Sequence, residues 1–248
     1  MGSRPVCLVT GGTRNLGRQL CLEMARAGHD VALTYAQDAV AAERVSDEVR
    51  ELGADALALQ LDLGPSAAAA SCVAAVMARF DRLDVLVNNA AIRPRKPLAD
   101  ITEADWRHVL DVNLNGPFFV SQAAAVPMRA AGSGSMIHIS GLVALQGGGG
   151  GAAHIAASKA GLGGLNRALA DELGPDGIRS NLVVPGRMET VRQNPASPGH
   201  VEDEIARTPM RRIGQVDDVA SVCAFLASAA SAYVTGQTLH VNGGLYKG

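Results

Sequence analysis

Short apolar segments alternate with segments of helical periodicity along the chain. Apolar residues that recur three or four positions apart, as Leu16, Leu20 and Met24 do, predict helices that bury one face. Because strands and helices alternate, the sequence predicts an α/β fold, a single-domain, Rossmann-like doubly wound parallel sheet with helices on both faces. The predicted strands are Val6–Val9, Val31–Tyr35, Ala56–Leu61, Val85–Val87, Met136–Ile139, Arg179–Val184 and Thr238–Val241.

Local signals mark where some helices begin and end. Thr102 followed by Asp105 is typical of a capping box that opens a helix. Gly174-Pro175 predicts the end of a long helix that carries apolar residues at helical spacing. No stretch has the composition of a linker, so we expect one domain over residues 1–248.

Two segments interrupt the alternation. Gly147–Gly151 is a run of five glycines, and Arg187–Pro209 is a long polar segment with three prolines. Long loops in compact domains are commonly functional, and ligands of open α/β sheets bind beyond the carboxyl ends of the strands. We therefore expect a substrate loop at about residues 187–209.

Composition narrows the classes of partner. A formal net charge of -2 and an aromatic content of 3% offer neither the basic surface nor the stacking platform of a nucleic-acid-binding protein. The longest apolar run, Ala67 to Ala78, is too short to cross a bilayer. The four cysteines contain no CxxC pair, which favours buried, reduced thiols. We expect a cytoplasmic protein that acts on a small molecule, without a metal, a nucleic acid or a membrane as partner.

A glycine-rich turn follows the first predicted strand and leads into a helix. Such a turn lets backbone amides and the helix dipole face a pyrophosphate, and its place at the first strand–helix junction predicts a dinucleotide site. Asn15 stands where the middle glycine of such turns falls, and asparagine is the residue next best suited to positive φ. The turn reads Thr10-Gly11-Gly12-Thr13-Arg14-Asn15-Leu16-Gly17.

The end of the second strand bears on the type of dinucleotide. Tyr35-Ala36-Gln37 lacks the acidic residue that would bind a ribose 2′-hydroxyl. Arg14 projects from the glycine turn, where its guanidinium suits a 2′-phosphate, with a solvated surface charge as the alternative. Together these features favour NADPH/NADP+ as the cofactor.

Further motifs resemble those of the short-chain dehydrogenase/reductase family over essentially the whole chain. They are Asp62-Leu63, Asn88-Asn89-Ala90-Ala91, Val112-Asn113-Leu114, Ser158-Lys159-Ala160-Gly161, Pro185-Gly186 followed by Thr190, and Gly236-Gln237 to Asn242-Gly243-Gly244. The resemblance implies that Lys159 holds the nicotinamide ribose and that Asp62 approaches the adenine. The implied cofactor-binding residues are Gly11, Thr13, Arg14, Asn15, Leu16, Gly17, Asp62, Leu63, Asn89, Ala90, Ala91, Lys159, Pro185, Gly186 and Thr190.

The resemblance also implies a catalytic set, from which this chain departs. Family members use a tyrosine as proton donor four residues before the lysine, and that position is Ile155. The neighbouring His154 would point about 100° away around the helix. We interpret it as a histidine at the surface or packed against a loop.

The serine that orients the carbonyl in the family is displaced as well. Gly141 falls at the position of that serine, and Ser140 stands one residue earlier. Two alternatives are open: Ser140 contacts the substrate from this position, or it lies too far away to do so. Asn113 and Lys159 match the family's water-holding asparagine and its lysine. The candidate catalytic residues are therefore Asn113, Ser140 and Lys159.

Three hypotheses follow. The first is NADPH-dependent reduction of a ketone on a bulky substrate with a non-standard proton donor, and the chain also resembles tailoring ketoreductases of aromatic, angucycline-type polyketides. The second is a dehydratase, cyclase or isomerase that keeps NADP(H) for structure. The third is a non-catalytic cofactor-sensing protein. By resemblance, we expect a homotetramer or homodimer.

Overall fold

The computed structural model describes residues 4–63, 66–190 and 198–248, with the side chains of residues 66 and 198–200 excepted. Its strands are β1 (Val6–Val9), β2 (Asp30–Tyr35), β3 (Ala56–Gln60), β4 (Val85–Asn88), β5 (Gly134–Ile139), β6 (Ile178–Pro185) and β7 (Thr238–Val241). Its helices are α1 (Asn15–Arg26), α2 (Ala39–Glu51), α3 (Ser66–Phe80), α4 (Glu103–Leu110), α5 (Gly116–Ala131), α6 (Val143–Gln146), α7 (Ala153–Leu173), α8 (Pro198–Arg207) and α9 (Val216–Ala227). Short 3-10 turns occupy Leu98–Asp100, Gly174–Asp176 and Ala229–Ser231, and Asp111–Asn115 is a π-helical turn.

The strands pair in parallel in the order β3-β2-β1-β4-β5-β6-β7. After β3 the chain crosses back to the middle of the sheet, so β1 and β4 lie side by side, with Val9 opposite Val87. A reversal of this kind is a topological switch point, where a crevice opens beyond the carboxyl ends of the strands.

Helices cover both faces of the sheet. On one face α1, α2 and α9 pack through buried residues such as Leu20, Val45 and Cys223. On the other face α3, α5 and α7 pack, with Val76 and Val120 in the core. Each such side chain stabilises the fold by about 1.5–3 kcal/mol on burial. This architecture confirms the predicted fold class.

The predicted elements are confirmed closely. β1 and β7 have the predicted bounds, and the other strands differ by one or two residues at an end. Thr102 caps α4 as predicted, since its Oγ1 accepts a hydrogen bond from the Asp105 amide at 3.1 Å. Helix α7 ends at Leu173, directly before Gly174-Pro175.

The expectation of a loop over residues 187–209 is wrong in its second half, because α8 occupies Pro198–Arg207. Proline fits the first turn of a helix, where its missing amide proton costs no hydrogen bond, so Pro198 marks a helix start rather than a loop. The Arg187 guanidinium pairs with the Glu204 carboxylate at 2.7 Å and ties α8 to the end of β6. Residues 191–197 lie outside the described residues.

The four cysteines are free and buried, as predicted. Of the described helices, each is too short or too polar to cross a bilayer. No group of His, Cys, Asp or Glu within the described ranges could hold a metal ion.

Candidate active site

The glycine turn occupies the crevice between β1 and β4. Gly11 has φ of 67° and lies against Ala90, the second residue after β4. Asn15 has φ of 47°, in agreement with the expectation that asparagine replaces a glycine there. A Cβ on Gly17 would lie 2.0 Å from the Gly11 carbonyl oxygen, so α1 begins in direct contact with the turn.

Hydrogen bonds across the switch point hold this turn. The Asn89 side-chain amide donates to the carbonyl oxygens of Thr10 (3.0 Å) and Gly11 (3.1 Å). The Thr10 hydroxyl oxygen accepts from the backbone amides of Asn89 (3.0 Å) and Ala90 (3.1 Å). Thr34 of β2 accepts from the Gly11 amide through its hydroxyl and from the Gly12 amide through its carbonyl. The turn is therefore fixed by three strands.

The start of α1 fits the phosphates of a dinucleotide. Arg14 is the N-cap residue and makes no side-chain cap hydrogen bond. A helix N-terminus carries partial positive charge and unsatisfied amides, which suit a pyrophosphate. The Arg14 side chain is exposed beside this end of the helix. Glycines at positions 11, 12 and 17 keep the turn close to its neighbours, since a Cβ at each would meet other atoms at 3.0 Å or less.

Residues after β3 and β6 flank the same edge of the sheet. Asp62 is exposed, and Leu63 is buried against Gly116. Gly186 follows β6 and lies so close to Asn242 that a Cβ would meet its Cα at 2.8 Å. Pro185 is buried at the strand end, and Thr190 is half-buried.

Lys159 lies on α7 with its ammonium group buried at the end of β5. Its side chain is 3% exposed, and Nζ donates to the Ile139 carbonyl oxygen at 2.6 Å. In the opposite direction, the Ser140 hydroxyl donates to the Lys159 carbonyl oxygen at 2.9 Å. These two bonds fix α7 against the carboxyl end of β5. Ser140 would have to exchange its present acceptor in order to donate to a substrate carbonyl.

The electrostatic environment of Lys159 is cationic. Burial, and to a smaller extent the charge of Arg93, lower the pKa of the Lys159 ammonium to about 7. Burial, together with the charge on Lys159, lowers the pKa of His138 to about 4. His138 is therefore neutral near pH 7, and Lys159 exchanges its proton in the physiological range.

Asn113 holds the segment that follows β4. Its Oδ1 accepts from the Ile92 amide at 2.8 Å, and its Nδ2 donates to the Ile92 carbonyl oxygen at 3.0 Å and to the Ser158 hydroxyl at 3.1 Å. It lies in the π-helical turn Asp111–Asn115, and such turns are frequent at functional sites. The fully buried amide thus joins the segment after β4 to α7.

Ile155 precedes Lys159 by one helical turn and belongs to a small apolar cluster. It packs with Val109, Ala152 and the half-buried Ile92 and Val143. An aliphatic side chain has no proton to exchange, so this position contributes only packing.

Of the two interpretations of His154, the surface position is wrong, because its side chain is fully buried in the first turn of α7, and packing against a loop stays a prediction. Neither ring nitrogen has a hydrogen-bond partner among the described residues. The helix starts at Ala153 and runs without interruption to Leu173, so its register keeps Ile155 and Lys159 on one face.

The structure brings most of the predicted residues to one edge of the sheet. Sequence reasoning placed Thr10 in the glycine turn without giving it a role, and it did not single out Thr34 or Arg93. A threonine at a strand end carries no distinctive signal, and the approach of Arg93 to Lys159 joins residues far apart in the chain.

The fold and this site define an α/β protein of Rossmann type, with a glycine turn at the switch point where this class binds dinucleotides. A family profile described as "Enoyl-(Acyl carrier protein) reductase" matches residues 11–246. The 3-oxoacyl-(acyl-carrier-protein) reductase FabG of Staphylococcus aureus strain Mu50 is 38% identical over 239 residues, covering 96% of this chain and 97% of the relative. The enzyme of the same name from Escherichia coli K12 is 36% identical and covers 97% of both chains.

The solved structures agree. A mutant short-chain dehydrogenase/reductase from Serratia marcescens superposes with a TM-score of 0.91 at 34% identity, over 97% of both chains. The chain belongs to the short-chain dehydrogenase/reductase family of oxidoreductases.

Proposed function

We propose that this protein reduces a ketone with NADPH, on a bulky substrate of aromatic polyketide type, and takes the proton from a group other than tyrosine. The observation that carries the proposal is the buried Lys159 ammonium, fixed by Ile139 at the carboxyl edge where the glycine turn also lies. Two relatives are named as 3-oxoacyl reductases, and their chemistry is reduction of a ketone.

NADPH, when bound, supplies a hydride from its nicotinamide ring. The uncapped start of α1 and the turn at Gly11 bind the pyrophosphate in this proposal. Arg14 binds the 2′-phosphate, since the end of β2 offers no carboxylate for a free ribose hydroxyl. Lys159 binds the nicotinamide ribose, with Pro185, Gly186 and Thr190 beside the ring.

In this proposal the proton donor distinguishes this site from those of other members of the family. Ile155 stands at the position of the tyrosine, and loss of a general acid costs about 10²–10⁴-fold in rate. A phenolic or enolisable substrate, in which an internal hydrogen bond already reaches the reacting carbonyl, depends least on that acid. Lys159 can release a proton near neutral pH because burial lowers its pKa to about 7.

The remaining residues position these groups. Asn113 fixes the segment after β4, and Ser140 fixes α7 through the Lys159 carbonyl. The described end of β6 through Thr190, together with α8, borders the substrate in this proposal. We further propose a cytoplasmic homodimer or homotetramer that acts on a small molecule.

The test measures NADPH oxidation by purified protein in two arms, with a 3-oxoacyl thioester and with an aromatic polyketone. We expect oxidation with the polyketone and a loss of at least about 100-fold in kcat/KM for Lys159→Met. Lys247→Met, which removes an exposed lysine near the C-terminus, is the matched control and should retain activity. Tight binding of NADPH without oxidation in either arm would contradict the reductase function.

The cofactor preference has its own test. Arg14→Ala should weaken NADPH binding about tenfold or more and leave NADH binding unchanged, because a charged hydrogen bond is worth about 1.5–3 kcal/mol. Equal effects on the two coenzymes in a fluorescence titration would contradict the assignment of Arg14.

A second candidate function is a dehydration, cyclisation or isomerisation with NADP(H) held for structure. The apolar surroundings of Ile155 favour it, because they leave the family's donor position without an acid. Product formation that is unchanged when NADP+ replaces NADPH would support this candidate over the reductase.

A further inference from the structure

A cavity of about 320 Å³ lies at one edge of the sheet, at the carboxyl ends of β6 and β7. Three segments line it: Arg187 and Met188 after β6, residues 208–214 between α8 and α9, and residues 240–245 at the end of β7 and beyond it. Clefts of about 300–1,000 Å³ are typical of small-molecule sites, and open parallel sheets bind ligands at this end of their strands. The cavity therefore has the size and the position of a ligand site.

Backbone hydrogen bonds join the three segments to one another. The Gly214 amide donates to the Arg187 carbonyl oxygen at 2.9 Å, and the Met210 amide donates to the Gly243 carbonyl oxygen at 3.1 Å. The last two segments also touch, since a Cβ on Gly243 would lie 2.7 Å from Thr208 Cγ2. Because these bonds lie within the chain itself, the cavity is formed before a ligand arrives.

The charged groups among the described lining residues are already paired. The Arg187 side chain is 10% exposed, and its guanidinium binds the Glu204 carboxylate at 2.7 Å. Arg212 donates twice to the Asp218 carboxylate, at 2.6 and 3.0 Å. An ion that entered the cavity would lose hydration without gaining an unpaired counter-charge, so the cavity favours an uncharged ligand.

The rest of the lining suits an aromatic ring. Its apolar side chains are Met188, Met210, Ile213, Val241 and Leu245. The His240 ring closes one side, with its centroid 5.1 Å from that of Tyr246. Thioether sulfurs and guanidinium planes both make favourable contacts with aromatic rings. An apolar cavity of about 150 Å³ is enough for benzene, so this cavity has room for about two fused rings.

We propose that this cavity binds a flat, uncharged aromatic part of the substrate, remote from the reacting carbonyl. The inference rests on the proposed reduction, which assigns Gly186 to the nicotinamide side of the site. Gly186 directly precedes Arg187 and Met188, so the cavity adjoins that assigned position. Met188 and Leu245 set the specificity for the ring system.

The first experiment is a calorimetric titration without cofactor, with naphthalen-2-ol as the uncharged aromatic probe. Each of the other probes differs from it in one property. Decahydronaphthalen-2-ol is similar in size but saturated, and naphthalene-2-sulfonate is charged. We expect naphthalen-2-ol to bind at least about threefold more tightly than either of them, because contacts with sulfur and guanidinium groups add to the burial of its rings.

Variants locate the bound probe. Leu245→Trp fills the cavity and should weaken binding of naphthalen-2-ol about tenfold, a difference of about 1.4 kcal/mol. Gly214→Ala is a milder second variant, because its Cβ would lie 2.6 Å from Met188 Cε and must displace that methionine, and it should weaken binding about threefold. Leu98→Trp is the matched control, since Leu98 is 78% exposed and lies outside the cavity. Thermal unfolding shows which variants keep the fold.

A kinetic experiment connects the cavity with the reaction. Naphthalen-2-ol should compete with the aromatic polyketone during NADPH oxidation. Gly214→Ala and Leu245→Trp should raise KM for the polyketone and change kcat little, because the cavity lies away from the reacting carbonyl. Leu98→Trp should leave both constants unchanged.

Four results would overturn the inference. They are the absence of saturable naphthalen-2-ol binding at millimolar concentration, equal or tighter binding of the saturated alcohol or the sulfonate, unchanged binding in the folded cavity variants, and binding without competition. Absence of NADPH oxidation with every ketone contradicts the proposed function instead. The titrations without cofactor still decide in that case which ligand the cavity binds.

Discussion

Gly17 tests whether the contact between α1 and the glycine turn governs cofactor binding. In Gly17→Ala the new Cβ would stand 2.0 Å from the Gly11 carbonyl oxygen and 2.8 Å from the Asn89 side-chain nitrogen. An ordinary contact requires at least 3.4 Å, so α1 and the turn must separate by more than an ångström. The atom that Gly17 would strike is backbone, and the Asn89 bonds to Thr10 and Gly11 hold it in place.

The cost of that separation can be worked from its parts. Overpacking a rigid site costs about 1–3 kcal/mol, and the gain from replacing a helical glycine by alanine returns about 0.5–1 kcal/mol. Because the clash at Gly17 is with backbone, the upper end of the first range applies, and a net loss of about 2 kcal/mol lowers Tm by about 4–8 °C in a chain of this length. NADPH binding should weaken more than stability does, because the displaced amides are those that face the pyrophosphate.

The assay combines thermal unfolding with NADPH binding by fluorescence, and Gly164→Ala is the control. Gly164 lies on the exposed side of α7 with no atom near its missing Cβ, so alanine there should stabilise by about 0.5–1 kcal/mol and leave binding unchanged. If Gly17→Ala has the same Tm and the same NADPH affinity as the wild type, the close approach of α1 to the turn does not form the cofactor site.

Three further outcomes are expected. Asn15→Ala should lose about 1 kcal/mol and a few degrees in Tm while Asn15→Gly matches the wild type, since φ is 47° at this position. From pH 7 to about pH 10, the free energy of unfolding of the wild type should rise relative to Lys159→Met in urea titrations, because only the unfolded lysine keeps its proton over that range. As pH falls from about 6.5 to about 4, the wild type should lose stability on the order of 3 kcal/mol that His138→Gln does not lose, because the unfolded histidine binds a proton that the buried ring resists.

Each of these outcomes has a control. Lys247→Met and His108→Gln remove exposed side chains of the same types and should follow the wild type with pH. Parallel pH profiles of the free energy of unfolding for Lys159→Met and the wild type would contradict a lowered pKa for the buried ammonium. Parallel profiles for His138→Gln and the wild type below pH 6.5 would contradict a lowered pKa for the buried imidazole. For Asn15, equal melting of the alanine and glycine variants would contradict the role of positive φ.

The acid sensitivity of His138 follows from a directed set of hydrogen bonds. The Asn88 amide donates to Nδ1 at 3.2 Å, which places the ring proton on Nε2, facing the Ser180 hydroxyl at 3.2 Å. Ser180 in turn donates to Asn166 Oδ1 at 2.9 Å. A second ring proton would turn the acceptor for Asn88 into a donor, so the folded state disfavours the imidazolium.

The sequence by itself determined the fold class, the strands to within two residues and the placement of the glycine turn. These features depend on local patterns. Alternation of strand and helix fixes the architecture, and a positive φ at Asn15 follows from what one residue type can adopt. The position of Lys159 one turn after Ile155 is equally local, because helical periodicity sets it.

The tertiary structure alone decided which groups meet. The bond between Lys159 and Ile139 spans 20 residues, and the pairing of Asn113 with Ile92 depends on the packing of the π-helical turn and α4 against α7. Burial of His154 and the approach of Arg93 to Lys159 arise in the same way. The physical reason is that pKa shifts and specificity come from desolvation and from charges brought together by folding, and no local pattern in the chain encodes those distances.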